Sequence, residues 1–141
     1  MGLPLLPFFL SKRGRKVWDD STVTFLSEVR SNVRVIATSL TRIMELKSNY
    51  SVREEELNTQ LNITLSEFRD LRDLLENDKS RILSLNGDLY NAVKIMEAYS
   101  VISDREGVKF LVENTERILR AARWCDGSLT KFLRIYKKYE R

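Results

Sequence analysis

Residues 20–48 read DSTVTFLSEVRSNVRVIATSLTRIMELKS. Leu26, Val29, Val33, Ile36, Leu40 and Ile43 recur in this stretch at spacings of 3, 4, 3, 4 and 3. That is the seam of an amphipathic helix, with one apolar stripe and polar residues elsewhere. Arg30, Arg34, Glu45 and Lys47 fall off the stripe. The cluster Asp19-Asp20-Ser21-Thr22 supplies N-cap side chains at its start. One helix over 20–48 is predicted, and one long apolar stripe must be covered by others.

The covering helices follow in order. Ser48-Asn49-Tyr50-Ser51 reads as a turn, and Ser51 with Glu54 as a capping box. Leu57, Leu61, Thr64, Phe68, Leu71, Leu75, Asp78, Ile82 and Leu85 then form a second seam with two polar entries. It predicts a single helix over 52–86 of roughly 50 Å, with Asn77-Asp78 as the place where two shorter helices would divide. Asn86-Gly87-Asp88 stops and restarts the chain. Leu89, Ala92, Val93, Met96 and Tyr99 predict a third helix near 88–102. Ser103 and Glu106 suggest a second capping box and a fourth helix at 104–124, with Val108, Leu111, Thr115, Ile118, Leu119 and Ala122 inward. Asp126-Gly127-Ser128 ends that helix, and Leu129, Phe132, Leu133 and Tyr136 give a short fifth. No stretch alternates as a strand does. The expected fold is therefore all-α: an antiparallel up-and-down bundle of four to five helices over residues 19–141.

Residues 1–18 stand apart as an extended N-terminal arm. Leu3, Leu5, Leu6, Phe8, Phe9 and Leu10 make an apolar tip punctuated by Pro4 and Pro7, the two prolines of the chain. Lys12, Arg13, Arg15 and Lys16 follow as a basic collar. Burying the tip would release about 9–18 kcal/mol, against about 8–16 kcal/mol for ordering its backbone. Such an arm gains by docking only on a well-formed surface: its own bundle, a neighbouring copy or a membrane. The order of apolar and basic residues is the reverse of a signal peptide's, and eight apolar residues are too few to span a bilayer. Leu6 stands where a myristoylation pattern needs Ser or Thr. The expected location is intracellular or in a virion, with no transmembrane helix.

Charge is unevenly spread. Beyond the arm the chain is neutral, with 20 basic and 20 acidic residues. Residues 19–116 carry 12 basic and 18 acidic, a net of −6, and residues 117–141 carry 8 basic and 2 acidic, a net of +6. Arg117, Arg120, Arg123, Lys131, Arg134, Lys137 and Lys138 make up the basic end. Basic residues late in a helix complement its dipole. The same set also attracts phosphate, anionic lipid or the acidic middle of another subunit.

The chain holds no histidine and one cysteine. That removes the commonest general base and metal ligand and leaves too few ligands for zinc. No Gly-rich phosphate loop occurs. No catalytic, cofactor-binding or metal-binding residue is assigned, no cofactor or small-molecule substrate is expected, and the chain is read as a non-enzyme. Cys125 beside Arg123 reads as a bystander thiol.

The layout resembles that of retroviral matrix proteins, which also join a Met-Gly start and a basic collar to a small helical domain; Leu6, Pro4 and Pro7 depart from their pattern. Coat proteins of filamentous archaeal viruses are similar in architecture, as small helical bundles with extended arms. The function expected is a self-associating building block, such as a viral coat or nucleocapsid-type protein. It would oligomerise through the arm and present its basic ends to nucleic acid or neighbouring subunits. The alternatives are a peripheral adaptor docking on an anionic membrane by Phe8, Phe9 and the collar, and a nonspecific nucleic-acid binder.

Overall fold

The structure, a computed structural model, describes residues 20–49, 51, 53–76, 81–82 and 87–140, with the backbone alone for 102–105 and 136–140. Four helices span the described residues: α1 Asp20–Lys47, α2 Glu54–Glu76, α3 Gly87–Glu106 and α4 Val108–Glu140. Arg81 and Ile82 are helical as well, and no strand occurs among the described residues. The arm, residues 1–18, lies outside them.

The seam of α1 is what the others cover. Val29, Val33, Ile36, Leu40 and Ile43 are fully buried, each worth about 1.5–3 kcal/mol. α1 packs on α2 and α4, and α3 packs on the same two, while α2 and α4 meet only narrowly across the core. The helices thus form a ring around a single cluster to which each contributes, with Ile82 joining it. Thr64, a polar entry in the α2 seam, is buried and donates its hydroxyl to the Gln60 carbonyl at 2.9 Å. That bond removes the desolvation cost of the hydroxyl.

Three boundaries differ from expectation. The α2 start moves from 52 to Glu54, because Asn49 Oδ1 takes both the Ser51 amide, at 3.0 Å, and the Ser51 hydroxyl, at 2.7 Å. This local Asx turn replaces the capping box. Helix α3 runs through Ser103 to Glu106 and breaks at Gly107, whose φ is 59°. A left-handed residue is the conformation that ends a helix, and glycine reaches it without strain. Finally, the expected stop at Asp126-Gly127-Ser128 does not occur, and no separate fifth helix follows it. α4 continues through Gly127, because Ile118, Ala122, Cys125, Leu129 and Phe132 keep a helical 4, 3, 4, 3 spacing and are all buried. Burying Leu129, Phe132 and Leu133 outweighs the roughly 1 kcal/mol that a helical glycine costs. The division of 52–86 into one helix or two turns on residues 77–80 and 83–86, outside the described set.

α4 has its one non-helical residue at Asn114, with φ −122° and ψ 15°. Lys47, at the end of α1, donates Nζ to the Val112 carbonyl at 2.6 Å beside this kink. Further along, Arg34 Nε donates to Asp126 Oδ1 at 2.8 Å and Arg34 Nη2 to Thr130 Oγ1 at 3.1 Å. These bonds tie α1 to α4 at two levels. A Cβ added at Gly127 would meet nothing within 4 Å. Gly127→Ala is therefore expected to raise stability by about 0.5–1 kcal/mol, and Gly107→Ala to lower it by about 1–2 kcal/mol. Urea unfolding of the two variants checks the opposite signs.

Candidate functional site

Continuity of α4 decides which side chains share a surface. Its buried series faces the core, and Arg117, Arg120, Arg123, Trp124, Lys131, Arg134 and Ile135 are exposed. From Arg117 to Arg134 the helix rises about 26 Å. The sole acid between these two residues is Asp126, and it is turned to Arg34. From Arg117 to Arg134 the outer face is therefore a cationic stripe with no free carboxylate within its length. At its edge, Arg120 Nη1 donates to Glu116 Oε1 at 3.0 Å, an exposed pair worth less than about 1 kcal/mol.

Apolar surface lies within the same face. Trp124 is 49% exposed and Ile135 37%. Trp124, Ser128, Lys131 and Ile135 stand 4, 3 and 4 residues apart and form one wall of a groove of about 470 Å³, whose other side is Asp88, Leu89 and Asn91 at the start of α3. Tryptophan favours such sites because it joins a large apolar ring to an N–H donor.

Five of the basic residues predicted as contacts, Arg117, Arg120, Arg123, Lys131 and Arg134, are thus brought onto one face. Lys137 and Lys138 continue the same helix, with side chains outside the described set. The arm residues Leu3, Leu5, Leu6, Phe8, Phe9 and Leu10 and the collar residues Lys12, Arg13, Arg15 and Lys16 also lie outside the described residues. Sequence reasoning missed the groove. The predicted fourth helix ended at residue 124, which put Trp124 and Ile135 on different helices. The 4, 3, 4 spacing that joins them was present, but the assumed stop at Gly127 cut it.

The opposite side of the ring is acidic. α2 holds seven acidic and two basic residues, a net of −5, and α4 holds eight basic and four acidic, a net of +4. Glu54, Glu55, Glu56, Asp70, Asp73 and Glu76 are exposed on α2. Glu67 is partly buried; desolvation raises its carboxyl above the usual range, a hydrogen bond with Ser39 lowers it and Asp70 raises it. No cluster of three or more potential metal ligands exists among the described residues, and none of their helices is long and apolar enough to cross a membrane.

Comparison with known proteins finds no matching family model, no matching curated protein and no matching solved structure.

Cys125 sits one residue from Trp124 but points into the core, fully buried. Burial, and after it the charge of Asp126, push its thiol up from 9.0 to about 12. The native thiolate is thereby depleted about a thousandfold. A thiol reagent at mildly alkaline pH is expected to label Cys125 only after denaturant is added. A raised native pKa contributes stability that is complete below about pH 9 and lost as pH climbs towards 12. The stability of the wild type relative to Cys125→Ala should fall across that window, as read by urea titrations at successive pH values.

Proposed function

We propose that this chain is a non-enzymatic assembly protein. It is a helical building block that self-associates through residues 1–18 and presents the basic face of α4 to a partner. The observation that carries the reading is that α4 face: five exposed cations interleaved with a half-exposed tryptophan, on a helix otherwise committed to the core. In this reading the helices form an antiparallel up-and-down bundle. The tie points Arg34 to Asp126 and Lys47 to Val112 support that, since residue numbers rise along α1 as they fall along α4.

The arm needs a receiving surface that is apolar and preformed, and the Trp124 groove has that character. Leu3 to Leu10 of a neighbouring copy would lie in it, with Phe8 and Phe9 against Trp124 and Ile135.

Deleting residues 2–16 is expected to abolish species larger than monomer in sedimentation velocity while leaving helical circular dichroism unchanged. Every buried residue described lies between Thr22 and Leu133, so the core is retained. Trp124→Ser removes the groove wall without entering the core and should weaken association in the same assay. Unchanged mass in both variants would overturn the reading.

A further inference from the structure

We infer that the partner of the α4 face is the α2 face of a second copy of this chain, an inference that rests on the assembly reading above and names its contact. Three observations carry it. First, α2 and α4 hold opposite charge, −5 and +4, on opposite sides of one ring. They meet only narrowly across the core, so one molecule cannot bring its two charged faces together.

Second, the faces are comparable in length. Exposed acids on α2 run from Glu54 to Glu76, about 33 Å of helix, in a group at each end, and cations on α4 from Arg117 to Arg134, about 26 Å. On α2 the acids flank one large exposed apolar side chain, Ile63 at 46%; on α4 the Trp124 groove stays with the arm of the assembly reading, and Arg120, Arg123 and Arg134 beside it meet the acids. The two cations within α2, Arg69 and Arg72, are each engaged in contacts within the molecule.

Third, residues 19–141 carry 20 basic and 20 acidic residues. The cations of α4 are thus balanced in number by acids of the same domain, which a second copy supplies. The α2 and α4 patches differ, so their contact is heterologous. It propagates to a ring or an open filament rather than stopping at a pair.

A charge exchange tests the pairing in the full-length chain. Arg120→Glu/Arg123→Glu/Arg134→Glu reverses α4, and Glu55→Lys/Asp70→Lys/Asp73→Lys reverses α2. Each triple variant alone is expected to lose the largest species of the wild type in sedimentation velocity, with its helical circular dichroism intact; the arm contact is left in place. An equimolar mixture of the two should recover them, because every reversed face then meets a reversed counterpart. For the wild type, raising salt from about 0.1 M to about 1 M shortens the screening length from about 10 Å to about 3 Å and should shift the distribution towards monomer. This arm needs no variant to fold.

Triple variants that assemble like the wild type, or a mixture that stays dissociated, would overturn the inference. So would oligomers that collapse on nuclease treatment, which would give the α4 face to nucleic acid. If deletion of residues 2–16 dissociates the protein while the charge exchange does nothing, the pairing fails and the assembly reading stands. A wild type that is monomeric throughout removes both.

Discussion

Burial of Leu129, Phe132 and Leu133 holds α4 helical through Gly127, and the surface properties of the molecule depend on it. A break at that glycine would put Arg117, Arg120 and Arg123 on one element and Lys131 and Arg134 on another, with no fixed relation between them. It would also dissolve the groove, whose wall needs Trp124 and Ile135 on the same helix. A single apolar face, continued for a few residues past a weak point in the backbone, thus aligns five charges that never touch the core. The ties from Arg34 to Asp126 and Thr130 sit at the same level and remove from the outer face the one acid that would have interrupted it.

Much of the fold was legible. The α1 seam marked the helix at nearly its observed limits, and its six inward residues are all buried, together with Thr22, Phe25, Ser39 and Leu46, which the seam did not include. The α2 seam was equally plain, including Thr64, whose hydroxyl is absorbed by the preceding turn. What misled were short-range signals opposed by longer-range packing. Ser51 had the sequence context of a cap, but Asn49 took its amide and hydroxyl first. Ser103 and Glu106 matched a capping pattern inside a helix that had no reason to end until a residue could turn left-handed, at Gly107. Gly127 looked like a stop only while Cys125 went uncounted as an apolar residue; with it included, the seam never lapses.

The candidate face on α4 was legible in its charges and not in its shape. Arginine and lysine positions can be tallied from a sequence, and helical spacing places them on a face. Whether that face belongs to one rod or two depends on tertiary burial, which local pattern does not reveal. The acidic counterpart was hidden differently. The excess of carboxylates in the middle of the chain was visible, but its concentration on α2, diagonal to α4, is a property of the ring.

The outer face of α4 is built from guanidinium and ammonium groups, in a chain that contains no imidazole. A chain without imidazole lacks the side chain that ordinarily switches charge near neutrality, and the one thiol is sequestered in the interior. What such a stripe holds therefore answers first to ionic strength and to competing polyanions.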